Sequence, residues 1–190
     1  MEKILLIDNY DSFTFNLYQL VKQVSDAQVD VFRNDKISVE DCNAYDRIIL
    51  SPGPGLPDEA GNLKAIIRAY SDKKPIFGVC LGQQAIGEVF GASLKNLDRV
   101  YHGIRTEFQV TEPVSDMFDE IPLTFHAGRY HSWVIDKDTL PESLKITCTD
   151  ERGEIMGIAH KTFKIRAVQF HPESVMTEYG KEMMTNFLKL

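Results

Sequence analysis

The chain has 190 residues and a formal net charge of −7, and 43% of it is apolar. That suits one globular domain with a real core, expected to span residues 1–190, and the lack of any basic stripe argues against a nucleic-acid partner. The first apolar run stops at Asp8, too short for a signal peptide or membrane span, and the three cysteines Cys42, Cys80 and Cys148 form no even framework, so a reducing, cytoplasmic setting without membrane association is expected.

Ile4-Leu5-Leu6-Ile7 is a continuous apolar run of the kind a strand buried on both faces shows. After Asp8-Asn9-Tyr10-Asp11-Ser12, where Asp11 or Ser12 can cap a helix, Phe13, Leu17, Leu20, Val21 and Val24 fall on one helical face. Val29 to Phe32 reads as a second strand. Ile48 to Leu50 is a third, ending in Ser51-Pro52-Gly53-Pro54-Gly55. A helix follows from Leu63 to Tyr70. Pro75 to Val79 is a fourth strand, running into Cys80 and then a helix through Ala85, Ile86, Val89 and Phe90. Alternation weakens afterwards: Arg105 to Val110, Trp133 to Ile135 and Leu144 to Cys148 read as antiparallel additions. Ile165 to Phe170 is a last strand, ending at His171-Pro172-Glu173, and a helix from about Glu178 to Leu188 presents Tyr179, Met183 and Phe187 inward. The expected class is α/β: a flavodoxin-like, open, mostly parallel sheet with helices on both faces and a smaller antiparallel addition. Ligands of such sheets sit at the carboxyl ends of the strands, where both the proline-glycine loop and Cys80 fall.

Gly78-Val79-Cys80-Leu81-Gly82 is the strongest chemical signal. A nucleophile on a strand-to-helix turn needs a strained backbone, and glycines two residues to either side let neighbouring chain pack close. The helix N-terminus beyond it favours a thiolate. The plainer reading is a small buried cysteine beside permissive glycines. A thiolate nucleophile needs a base. Of five histidines, His171 ends an apolar strand, and Glu173 two residues on projects to the same side, able to orient the ring while its other nitrogen faces Cys80. Alone, the pair would equally suit a capped strand end. The Ser51–Gly55 loop is either a turn or a source of N–H donors for an oxyanion, the second donor being the Leu81 N–H. Gln84, one helical turn beyond Cys80, either reads a polar substrate at the rim or lies on the helix surface. Cys42 and Cys148 lack the glycine pattern and read as structural. No metal-ligand spacing or phosphate loop is present, and no cofactor is expected in this chain.

Five segments together resemble the class I (triad) glutamine amidotransferases, and within them the glutaminase subunits of anthranilate synthase and aminodeoxychorismate synthase. They are Asp8 to Thr14, Ser51 to Gly55, Gly78 to Gly82, Arg129-Tyr130-His131-Ser132, and Gln169 to Ser174. The resemblance implies Cys80 as nucleophile, His171 as base and acid, and Glu173 as orienting carboxylate. It implies an oxyanion hole from the N–H groups of Gly55 and Leu81. It also implies L-glutamine held by Gly53, Pro54, Gly55, Gln84 and the Ser132-Trp133 segment, the last two residues resting on the resemblance alone. The implied partner is the large subunit of a chorismate-utilising synthase that itself uses magnesium. General similarity around Val89 to Leu97 and Arg129 to Val134 favours the anthranilate type (component I, tryptophan biosynthesis) over the aminodeoxychorismate type (folate biosynthesis), with a subunit shared by both also open. One position departs from the pattern: Gln83 stands where relatives usually carry histidine. The rival readings are a stand-alone cysteine hydrolase, active without a partner, and a flavodoxin-like interaction module with an inert Cys80.

Overall fold

The computed structural model describes residues 1–111 and 116–190. The elements, in chain order, are β1 (Lys3–Asp8), α1 (Thr14–Val24), β2 (Gln28–Arg33), β3 (Arg47–Leu50), α2 (Leu63–Tyr70), β4 (Ile76–Val79) and α3 (Leu81–Val89). Then follow β5 (Leu94–Asn96), β6 (Ile104–Val110), β7 (Thr124–Arg129), β8 (Trp133–Ile135), β9 (Leu144–Asp150), β10 (Ile155–His160), β11 (Ile165–Val168) and α4 (Gly180–Leu188). Nine strands form one sheet in the order β2-β1-β3-β4-β11-β10-β9-β6-β7, and β5 pairs with β8 in a separate ribbon. From β2 to β11 every pairing is parallel; from β11 outward to β7 every pairing is antiparallel. The α/β class and the antiparallel addition thus stand as the sequence indicated, except that Trp133 to Ile135, expected among the additions, pairs with β5 in the separate ribbon.

Period-two packing explains the continuous apolar strands. Ile4 and Leu6 join the core on the α1–α4 face, while Leu5 and Ile7 join the core on the α2–α3 face. Both sets are fully buried, so no polar alternation survives in β1. The stripe Leu17, Leu20 and Val21 seats α1 on the first face, and Leu63, Ile66, Ile67 and Tyr70 seat α2 on the second.

Three local expectations need correction. Neither Asp11 nor Ser12 is the cap of α1: Phe13 occupies that position, and the Asp11 carboxylate accepts from the Phe13 N–H at 2.7 Å, one residue ahead of the helix. Tyr179 is not on the inner face of the last helix. It precedes α4 at φ 60° and is partly exposed, while Met183 and Phe187 are buried as expected. The last strand ends at Val168, so Gln169 to Glu173 form a loop across the carboxyl edge of the sheet.

Candidate active site

The loops after β3, β4, β7 and β11 converge at one end of the sheet. Cys80 joins β4 to α3 with φ 52° and ψ −101°, a region costly for a residue with a side chain. Its neighbours hold it there. The Cys80 N–H donates to the Val168 carbonyl at 2.8 Å, and its carbonyl accepts from the Gln84 N–H at 3.1 Å. The turn closes only because residues 78 and 82 lack side chains: a Cβ on Gly78 would lie 2.7 Å from the Gly82 carbonyl carbon, and one on Gly82 would lie 2.7 Å from the Leu50 carbonyl oxygen. Leu81 opens α3, where a helical N–H has no acceptor within its own helix.

His171 is carried by the loop after β11. Its N–H donates to the Gly128 carbonyl at 3.1 Å, and its carbonyl accepts from the Thr177 hydroxyl at 2.5 Å. Nδ1 lies 2.7 Å from the Glu173 Oε1, and both side chains are almost wholly buried. Phe13 and Tyr130 pack on the ring with centroids 5.5 and 4.7 Å away and keep water from it. Burial opposes a charge on His171, but the Glu173 carboxylate and the Cys80 sulfur outweigh it and raise its pKa to about 10. Among the described residues Nε2 makes no hydrogen bond within normal limits, although Cys80 is close enough to act on the ring's charge. Contacts of this kind often tighten only once substrate is bound.

A cleft of about 170 Å³ opens beside Cys80. Gly53, Pro54 and Gly55 form one wall and Gln84, Ser132 and Trp133 the other, with Tyr130 and His131 completing it. The proline-glycine wall is anchored through Ser51: its hydroxyl accepts from the Asn9 N–H at 2.9 Å, and its carbonyl accepts from the Asn9 side-chain amide at 2.7 Å. The opposite wall is held by the β5–β8 ribbon and by the Ser132 carbonyl, which accepts from the Leu97 N–H at 2.7 Å. Of the residues singled out for substrate, six line this cleft and Leu81 does not. Gln84 is committed inward, with Nε2 donating to the Trp133 carbonyl at 2.9 Å and to Gln169 Oε1 at 3.2 Å, so it is no helix-surface residue.

Sequence reasoning missed Tyr130, His131 and Gln169. The Gln169 amide reaches the Cys80 sulfur at 3.3 Å. All three sit inside segments the sequence had marked, but spacing along the chain gave them no role. Gln83 is fully buried, and among the described residues neither of its amide atoms has a hydrogen-bond partner. Cys42 and Cys148 are buried, and neither lines the cleft. Burial and Asp41 push the Cys42 thiol up to about 11, and burial pushes Cys148 up as well. Among the described residues, no cluster of His, Cys, Asp and Glu could hold a metal, and no helix is long and apolar enough to cross a membrane.

This geometry has counterparts among known proteins. The family "Glutamine amidotransferase class-I" matches residues 5–190. The chain is 48% identical over 193 residues to aminodeoxychorismate synthase component 2 of Klebsiella aerogenes, covering 97% of this chain and 98% of that one. It is 43% identical over 197 residues to anthranilate synthase component 2 of Pseudomonas aeruginosa, covering 98% and 94%. It spans about a third of the bifunctional protein TrpGD of Thermotoga maritima, at 42% identity. A crystal structure from Thermoplasma acidophilum, described as that of a GMP synthase component, superposes with a TM-score of 0.89 at 27% identity over 100% of this chain and 93% of that one. A strand-to-helix cysteine at the carboxyl edge of a parallel sheet is thus found on an amidotransferase scaffold. The chain belongs to the class I glutamine amidotransferases.

Proposed function

We propose that this protein is the glutaminase subunit of a chorismate-aminating synthase, with Cys80, His171 and Glu173 as its catalytic residues. The observation that carries the reading is the strained Cys80 turn facing a buried His171–Glu173 pair, at the mouth of a cleft with room for a small amide. The Cys80 thiolate attacks the side-chain amide carbon of L-glutamine. The N–H groups of Gly55 and Leu81 stabilise the oxyanion; where such a donor has been removed from an enzyme, the loss is about 10²–10³ in rate. His171, charged at neutral pH by its neighbours, gives its proton to the leaving nitrogen, and ammonia departs. With the sulfur acylated, Cys80 no longer supports that charge, and neutral His171 takes a proton from water. The resulting hydroxide attacks the thioester, glutamate leaves and the thiolate is restored. Gly53, Pro54, Gln84, Ser132 and Trp133 hold the glutamine. This subunit needs no cofactor, and any magnesium belongs to the partner.

Ammonia near neutral pH is mostly protonated and then no nucleophile, so its use requires delivery inside a complex. The segments around Val89 to Leu97 and Trp133 favour an anthranilate-forming partner, whereas the higher identity to an aminodeoxychorismate synthase component favours that alternative. Reconstitution with each large subunit from the same organism tests both levels. Glutamine-dependent product with one large subunit identifies the partner, and comparable product with both identifies a shared subunit. Cys80→Ser is expected to abolish glutamine use while synthesis from ammonium salt survives. Persistent glutamine use by that variant would refute the catalytic assignment.

A further inference from the structure

A run of buried side chains connects the antiparallel extension to the Cys80 sulfur. Arg129, at the end of β7, donates from Nη1 to Asp150 Oδ2 at 2.9 Å, and both side chains are about 1% exposed. Asp150 is itself fixed, its Oδ1 accepting from the N–H groups of Arg152 and Glu154 at 3.0 and 2.9 Å. Arg129 Nε lies 3.2 Å from His131 Nε2. A guanidinium only donates, so that His131 nitrogen must be the acceptor and the ring proton must sit on Nδ1. Nδ1 is 3.1 Å from the Trp133 carbonyl, which also accepts from Gln84 Nε2 at 2.9 Å. Gln84 Nε2 meets Gln169 Oε1 at 3.2 Å, which turns the Gln169 amide nitrogen onto the Cys80 sulfur at 3.3 Å. Reversing either amide, or moving the His131 proton, would set like poles against each other.

We propose that Arg129 and His131 are positioning residues for the Cys80 thiolate. Arg129 fixes the His131 tautomer, His131 and Gln84 together orient the Trp133 carbonyl, and Gln169 is left with one orientation, its N–H on the sulfur. The inference rests on Cys80 being the nucleophile. His131 is suited to a fixed role because it stays neutral: burial and then the Arg129 charge lower its pKa to about 3. Tyr101 seals the arrangement, stacking on His131 at 5.7 Å and lying 3.5 Å below the Arg129 guanidinium. His171 is the other charged group acting on His131.

The test is the rate of Cys80 alkylation by iodoacetamide against pH, read by peptide mass spectrometry in the full chain, with thermal midpoints measured alongside. His171, the charged ring coupled to the sulfur, is kept in every variant. Gln169→Leu is expected to move the profile to higher pH by about one unit, the scale of a hydrogen bond to a charged group. His131→Phe is expected to move it the same way by less. His131→Asn, whose amide can still donate to the Trp133 carbonyl, is expected to return most of that shift. Both His131 variants lose the acceptor for Arg129 and should lose thermal stability together. Lowered midpoints with alkylation profiles superimposed on wild type would mean a purely structural role and overturn the proposal. Should His131→Phe not fold, ¹⁵N NMR of the wild-type ring decides: a neutral Nδ1–H tautomer between about pH 5 and 8 is expected, and an Nε2–H tautomer or a titrating ring would overturn it. Alkylation reads the thiol without glutamine. A failed assignment of Cys80 as nucleophile therefore shows separately, as glutamine use that survives Cys80→Ser.

Discussion

At the scale of single residues, the site combines one strained backbone with two buried charges. Holding Cys80 at φ 52° costs on the order of 1–3 kcal/mol, which the surrounding structure must offset. The His171–Glu173 pair gives stability a definite pH dependence. The folded-state pKa of His171 is raised from 6.5 to about 10, so its contribution is fully present below about pH 6.5 and is lost as pH rises through about 10. The thermal midpoint should therefore fall between pH 7 and 10, and Glu173→Gln should flatten that fall; parallel curves for the two proteins would contradict the coupling. The same variant should lower turnover yet leave residual activity, because no reacting atom is removed, whereas His171→Ala should be worse. Gln83 makes a separate prediction. A buried amide without partners costs about 1–3 kcal/mol, so Gln83→Met, close in shape and apolar, should raise the thermal midpoint by about 2–4 °C or more. An unchanged or lower midpoint in a thermal melt would show that the amide is satisfied in solution. The strained Cys80 turn and the His171–Glu173 contact could be read from the chain because a glycine pattern and an i, i+2 spacing are local signals. Gln169 could not, because its contact with Cys80 spans 89 positions and depends on two fixed amide orientations.

At the scale of elements, the parallel half was legible because strands buried on both faces leave uninterrupted apolar runs, as in Leu5 to Ile7 and Ile48 to Leu50. The antiparallel half was legible only in part: Arg105 to Val110 and Leu144 to Cys148 were read, whereas β7 and β10 were not. β7 carries the buried Arg129 whose partner Asp150 lies on another strand, so its polar residue reads as surface until the pair is seen. β10 is broken in register around Gly157, where a Cβ would meet the Thr147 hydroxyl at 2.7 Å, and a bulge defeats a period-two reading. β5 has only three residues and pairs with β8 alone. The elbow itself depends on close approach of α3 to β3. Gly82→Ala should cost about 1–3 kcal/mol by forcing the helix off the Leu50 backbone, visible as a lower urea midpoint and weaker glutamine use. Wild-type stability in that variant would mean the elbow has slack the geometry does not show.

At the scale of the whole molecule, the isolated chain is expected to be a poor glutaminase that its synthase activates. Asp8 to Phe13 and Tyr101 to Gly103, the segments on which a partner is expected to dock, both bear on the His171 ring. Phe13 touches His171 directly, and Phe13 and His102 each pack against Tyr130, at 5.1 and 5.8 Å. A partner resting on those segments could reset His171 without touching substrate, by favouring one of two arrangements already available to the loops. Full-rate hydrolysis by the purified chain, unchanged on adding the large subunit, would rule this out. The most direct test of the central claim, that Cys80 is the one nucleophile of a glutamine amidotransferase, is covalent labelling of the reconstituted complex with a γ-glutamyl-like alkylating analogue, mapped by peptide mass spectrometry. Cys80 is expected to take the label in step with loss of glutamine-dependent synthesis, and excess glutamine should protect it, while Cys42 and Cys148 stay unmodified. Label spread over the three cysteines, or activity surviving full modification of Cys80, would contradict it.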